Sequence, residues 1–87
     1  MKKAAVLLSG CGNLDGSEIH ESVSVIIALD QAGWETVYTA PDVPQHTTRS
    51  YIPGRPADSR NALEEAGRIA RGRIVPLTGF DVQDIDA

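Results

Sequence analysis

The chain is poor in cysteine and aromatic residues, has no excess of base, and contains no long apolar run. A single cysteine, Cys11, excludes an internal disulfide framework and a four-cysteine zinc site. It makes a reducing compartment the default. Eight basic side chains face twelve acidic ones, for a net charge of -4. The bases are scattered among the acids and form no stripe, so no nucleic-acid partner is expected. The apolar stretch Val25 to Leu29 falls far short of the roughly 20 residues that span a bilayer, so no membrane partner is expected either. Lys2 and Lys3 followed by Ala4 to Leu8 open like an export signal. The run then stops at Ser9 and Gly10, below the about 7–15 apolar residues such a signal needs. No sorting segment is visible, which predicts a cytoplasmic protein.

What is present is an ordinary globular composition, 41% hydrophobic and 23% charged over 87 residues. That is one small domain. Ala4 to Leu8 lacks alternation and reads as a strand covered on both faces, as in a parallel sheet. Ser17 is placed to cap a helix from about Glu18 to Ala32, with Glu18 and Glu21 at its favourable N-terminus. Ile19, Val23, Ile26 and Ile27 form one apolar face, and Val25, Ala28, Leu29 and Ala32 widen it. A stripe this broad predicts a substantially covered helix. Gly33 ends it.

Glu35 to Thr39 reads as a second strand, stopped by Pro41. From Asp42 to Pro56 no periodicity survives, and Thr48 to Gly54 has room for a short hairpin. A loop this long is uncommon and often functional. Asp58 or Ser59 is the expected cap of a second helix ending near Arg71, with Ala62, Leu63, Ala66, Ile69 and Ala70 as its apolar stripe. Ile74 to Leu77 suits a short strand or edge segment, and Phe80 to Asp86 one helical turn. The order strand, helix, strand, helix, strand is the opening of an α/β layered fold.

Two clear strands and a third short one make a narrow sheet, and two helices cannot cover both its faces. The expectation is therefore a piece of a larger domain, with a complete small α/β domain as the alternative. Its partner strands come from a complementing C-terminal part, or a homo-oligomer covers the exposed surface.

The glycine loop offers two cofactor readings, and both fail on spacing. Gly10, Gly12 and Gly16 have three residues in the second gap where a dinucleotide loop has two, and no Gly-Lys-Ser or Gly-Lys-Thr is present. Glu18, His20 and Glu21 do not match a zinc signature, and no second imidazole sits at helical spacing. No cofactor and no metal are expected. Cys11 lies near a helix N-terminus, a place that can lower a thiol pKa.

The segment Leu8-Ser-Gly-Cys-Gly-Asn-Leu-Asp-Gly-Ser-Glu-Ile-His-Glu21 resembles the ElbB (enhancing lycopene biosynthesis) family, the isoprenoid-biosynthesis glyoxalases. These belong to the class I glutamine amidotransferase-like superfamily, with the Parkinson-associated deglycase and PfpI-type proteases. The likeness continues through Ala32-Gly33, Ala40-Pro41-Asp42, Arg60-Asn61, Glu65 to Gly72, Pro76-Leu77 and Asp86-Ala87. It implies an α/β fold, an incomplete three-layer flavodoxin-like parallel sheet, with residues 1–87 as the N-terminal part of one domain. A full member is well over twice as long, and its nucleophilic cysteine sits on a later elbow that this chain lacks.

The resemblance also implies site residues. The family's acidic residue at the first helix lies twelve positions before the helix-ending glycine, which here is Gly33 and gives Glu21. Its implied role is to shuttle a proton beside the thiolate. Glu18 is the runner-up. Gly10, Cys11, Gly12, His20 and Asn61 are the expected pocket lining, with Cys11 as a lining or structural thiol. The implied activity of the intact relative is conversion of a small aldehyde, glyoxal or methylglyoxal, to a hydroxy acid without a cofactor. The chain by itself is expected to be inactive. The rival expectation is a non-enzymatic truncated product, or the structural half of a split protein.

Overall fold

The computed structural model describes residues 1–45 and 50–87. The elements run β1 (Lys3–Leu7), α1 (Ile19–Gln31), β2 (Glu35–Ala40), β3 (Pro44–Gln45), β4 (Arg60–Asn61), α2 (Ala62–Ile69) and β5 (Val75–Pro76). Three strands form a parallel sheet in the order β1-β2-β5. Val6 aligns with Tyr38 and Leu7 with Thr39. This is the α/β parallel architecture read from the apolar runs.

Both crossovers, β1 to β2 and β2 to β5, step the same way across the sheet. Right-handed connections then put both helices on one face. The packing agrees. Val6, Leu8 and Ala40 pack with Leu63, Ala66 and Ile69 of α2, and Ile26 of α1 shares a groove with Tyr38 and Ile69. Small residues on α2 permit this close approach: Ala62, Ala66 and Ala70 are all buried.

The helix ends differ from the sequence reading in instructive ways. α1 is capped by Glu18, whose carboxylate accepts the N–H groups of His20 and Glu21. Ser17 is occupied elsewhere, its hydroxyl accepting the Ser9 N–H at 2.9 Å. α2 begins at Ala62 rather than near Asp58. Asn61 caps it by accepting the Glu64 N–H at 2.9 Å. Pairing of Arg60 and Asn61 with Gln45 and Pro44 keeps the preceding residues extended. Gly33, at φ +79°, closes α1 in the left-handed conformation a terminator needs.

α1 has no buried residue. Only Ser22, Ile26 and Leu29 are half-buried, while Ile19, Val23, Val25 and Ile27 are exposed. The broad apolar stripe thus outruns the sheet beneath it. The narrow sheet covers its middle and leaves both flanks in water.

Of the segment from Thr48 to Gly54, Thr48 and Arg49 lie outside the described residues. Its remainder forms bends and a turn, with the Arg55 N–H reaching the Ile52 carbonyl. Phe80 to Asp86 forms no helical turn. It returns across the sheet and brings Asp86 and Ala87 alongside β1. There the Ala5 N–H donates to the Ala87 carbonyl and the Asp86 N–H to the Lys3 carbonyl, both at 2.8 Å.

Candidate functional site

β1 lies between β2 on one side and the Asp86–Ala87 tail on the other. In open α/β sheets ligands bind beyond the carboxyl ends of the strands. The residues there are the Ser9–Ser17 loop and the start of α1.

Three separate environments meet at this end. The first is a cleft of about 340 Å³ lined by Val6, Leu7, Leu8, Ser17, Glu18, Glu21, Ser22 and Val25. Glu21 stands in the first turn of α1, exposed on this cleft. Glu18 lies beside it, but its carboxylate is committed to the helix end. Removal from water pushes the Glu18 pKa up. The His20 and Glu21 backbone donors outweigh this and hold it below the ordinary glutamate value. His20 is 94% exposed at its side chain and contacts Glu18 Oε2 at 3.2 Å through Nδ1.

The second environment is a buried polar cluster that the sequence did not disclose. Asp15, with a fully buried side chain, meets Arg60 Nη2 at 3.2 Å. Arg60 Nη1 donates to the Cys11 carbonyl at 3.1 Å and stands 3.8 Å from Glu65. Gln45 Nε2 donates to the carbonyls of Cys11 and Asp15 at 2.9 and 3.0 Å, and Gln45 Oε1 accepts the Cys11 N–H at 3.3 Å. Tyr51 donates its hydroxyl to Asp15 at 3.4 Å. The antiparallel pairing of β3 with β4 sets Gln45 opposite Arg60, which aims both at one loop. Gly10 is required here twice over. Its φ is +70°, and a Cβ would collide with the Gln45 carboxamide.

Cys11 is held in this cluster by its backbone, away from the cleft that Glu21 lines. Burial pushes its thiol pKa up, and the charge of Glu65 adds to this against the opposing pull of Arg60. The helix-end placement does not lower it, contrary to the trend expected for such a loop. A thiol held in its protonated form is a poor nucleophile.

The third environment holds Asn61, whose amide donates to Asp42 Oδ1 at 2.9 Å while its carbonyl caps α2. Gly12 lies against Asp15, on the buried side of the loop. The structure thus brings Glu18 and Glu21 together and sets Cys11, Gly10 and Gly12 in the polar cluster. His20 contacts Glu18 from outside the cleft lining, and Asn61 stands apart from both. Among the described residues no three of His, Cys, Asp and Glu are grouped as a metal site. No helix among them is long and apolar enough to cross a membrane.

No family model matches the chain. Individual proteins do. It is 42% identical over 87 residues to a human protein, "Glutamine amidotransferase-like class 1 domain-containing protein 3, mitochondrial", covering 98% of this chain and 32% of that one. An "ES1 protein homolog, mitochondrial" from Rattus norvegicus is also 42% identical over 98% of this chain and 33% of its own length. A crystal structure from Ehrlichia chaffeensis, an isoprenoid biosynthesis protein with an amidotransferase-like domain, superposes with a TM-score of 0.89 at 34% identity. It matches 99% of this chain and 41% of that one. The chain is homologous to the glutamine amidotransferase-like class 1 proteins. It spans about a third of the length of the curated relatives it matches.

The isoprenoid-biosynthesis neighbour with its amidotransferase-like domain is in keeping with the Leu8–Glu21 resemblance. Asp15 and Gln45 remain the site residues that sequence reasoning missed, and Arg60, read as a pocket-rim or surface residue, lies instead in the buried cluster. Asp15 and Arg60 fall inside the resembling segments, but no spacing rule pairs positions 45 residues apart.

Proposed function

We propose that this amidotransferase-like chain is the N-terminal part of an ElbB-type glyoxalase. It supplies the proton-shuttling carboxylate Glu21, and the remaining part supplies the cysteine nucleophile. The observation that carries the reading is Glu21, exposed on the cleft at the carboxyl end of β1. The protonated, backbone-tethered state of Cys11 supports a nucleophile from elsewhere.

The proposed substrate is glyoxal or methylglyoxal. The incoming thiolate adds to the aldehyde carbon and forms a C–S bond, and the aldehyde oxygen takes a proton to give a hemithioacetal. Glu21 then moves the proton between carbon and oxygen. It takes the proton from that carbon as the neighbouring carbonyl oxygen is protonated to an enediol. The second carbon is then protonated as the first hydroxyl gives up its proton. The first carbon is oxidised to a thioester as the second is reduced to an alcohol, so no external oxidant is needed. Water cleaves the thioester, releasing the hydroxy acid and regenerating the thiol. The same reading needs no metal or nucleotide. The lone thiol favours a reducing compartment, the cytoplasm in the sequence reading; the human and rat relatives carry "mitochondrial" in their names.

Proton NMR of glyoxal incubated with the chain alone, and with the chain joined to the remaining two thirds of a relative, tests this. Glycolate is expected only from the joined protein. Glu21→Gln in that protein should cut turnover by roughly 10²–10⁴-fold. Glycolate from the chain alone, lost in Cys11→Ala, overturns the assignment.

A further inference from the structure

We propose that the cleft between α1 and the end of α2 binds a phosphate monoester carried on a compact apolar body, with Arg71 and Arg73 holding the phosphate. The cleft shares no lining residue with the one that Glu21 faces, so the proposal stands or falls apart from the aldehyde chemistry.

The walls come from elements that pack on one another within this chain. Ile26 of α1, Tyr38 of β2, and Ile69 and Ala70 at the end of α2 enclose about 350 Å³. Arg71 and Arg73, on the link from α2 to β5, complete the lining. Tyr38 is buried and spends its hydroxyl on Thr36 at 2.9 Å, so its contribution to the cleft is an apolar ring.

The two arginines are not occupied by the protein. Arg60 is spent on Asp15 and Glu65, and Arg68 on Glu65 at 2.6 Å. Lys3 meets Glu35 at 3.8 Å, and Lys2 lies over the Trp34 ring. Among the described residues Arg71 and Arg73 have neither an ion pair nor a side-chain hydrogen bond. Twelve acids face eight bases in this chain, so carboxylates are not in short supply. Asp30, one turn along α1 from Ile26, pairs with neither arginine.

Nor does closing α2 require them. The Ala66 carbonyl accepts the Ala70 N–H, the Gly67 carbonyl the Gly72 N–H at 2.8 Å, and the Ala70 carbonyl the Arg73 N–H at 3.2 Å. The same bonds pin the backbone from which both side chains leave, which lowers the cost of ordering them around a ligand. Arg71 also stands at φ +59°, in the left-handed conformation that glycine ordinarily takes just after a helix. Strain of this kind gathers at ligand clamps.

The chemistry of the lining selects the ligand. A guanidinium donates two parallel N–H groups to an oxyanion. One such fork fills the two oxygens of a carboxylate, whereas the three terminal oxygens of a phosphate monoester accept from both arginines. The apolar walls call for an apolar body. The volume is at the low end of the roughly 300–1,000 Å³ of small-molecule sites, so that body is a single ring or its equivalent rather than a dinucleotide.

The test is an NMR titration of the chain, labelled at backbone amides and isoleucine methyls, with phenyl phosphate at neutral pH up to millimolar ligand. Saturating shifts are expected at the Ile26 and Ile69 methyls and the Arg71 and Arg73 amides, with none at Glu21. Inorganic phosphate, which lacks the body, and benzoate, which lacks the third oxygen, should each bind at least about tenfold more weakly. Arg71→Met and Arg73→Met should each weaken binding by about tenfold or more. Arg55→Met, on the exposed loop before β4, should leave it unchanged. If the methionine variants fail to fold, Arg73→Lys, which keeps the charge and loses the fork, should still weaken binding by about threefold or more. Absence of saturation at these residues, inorganic phosphate binding as tightly as the ester, or binding that survives both arginine replacements would each overturn the proposal. Benzoate binding as tightly as phenyl phosphate would assign the cleft to a carboxylate and overturn it as well.

Discussion

Arg60 holds the fully buried carboxylate of Asp15 at 3.2 Å and, through its other terminal nitrogen, the carbonyl of Cys11 at 3.1 Å. One guanidinium thereby ties the β1–α1 loop to the strand that opens α2. Removing it leaves a buried charge without its cation. Arg60→Met should destabilise the fold by about 3–5 kcal/mol, a large part of a small domain's stability. Adding Asp15→Asn should recover at least half of that loss, since no charge then stays buried. Urea denaturation of the single and double variants measures both.

Cys11 should alkylate slowly at neutral pH. Burial, and then the Glu65 charge, keep its thiol protonated to higher pH than a free cysteine. The rate with iodoacetamide should rise later on the pH axis than for an unstructured cysteine peptide. Glu65→Gln removes a charge that opposes the thiolate, so its profile should shift toward lower pH. An unchanged profile would remove Glu65 from the account.

Glu18 makes α1 sensitive to acid. Its folded pKa lies below the unfolded value, so its contribution is fully present above the unfolded pKa. That contribution is lost as pH falls through the folded one. Circular dichroism of the wild-type chain should show helix loss across that window. Glu18→Gln, which keeps an acceptor oxygen but cannot titrate, should flatten this part of the profile, and Glu18→Ala should lower helicity at every pH.

Thr39 is 2% exposed, and its hydroxyl has no hydrogen-bond partner among the described residues. Thr39→Val replaces that hydroxyl with a methyl of similar size and suits the strand. It should stabilise by about 1 kcal/mol, read as a higher urea midpoint at an unchanged slope.

Much of the architecture was legible along the chain. The unbroken run at Ala4–Leu8 announced a parallel strand, and Gly33 marked the end of α1. The alanines of α2 marked the face that packs on Leu8 and Ala40. The caps were less legible. Ser17 and Ser59 are good capping residue types, but a loop contact claimed Ser17, and extended pairing with β3 held the chain straight until Asn61. The breadth of the α1 stripe reported what the helix can bury; the width of the sheet decided what it does bury.

The sequence by itself determined the order of the elements, the parallel sheet and the likeness to an amidotransferase-like family, with Glu21 as its implied acid. These depend on periodicity, turn chemistry and motif spacing, which act over a turn or a strand. Tertiary structure alone decided the Asp15–Arg60 pair, 45 positions apart, and the bond of Lys3 to Asp86, 83 positions apart. The first fixes the loop of Cys11, and the second lays the Asp86–Ala87 segment along β1. Neither has a local signature. A buried ion pair and an edge hydrogen bond are specified by where the packed sheet brings the chain back on itself.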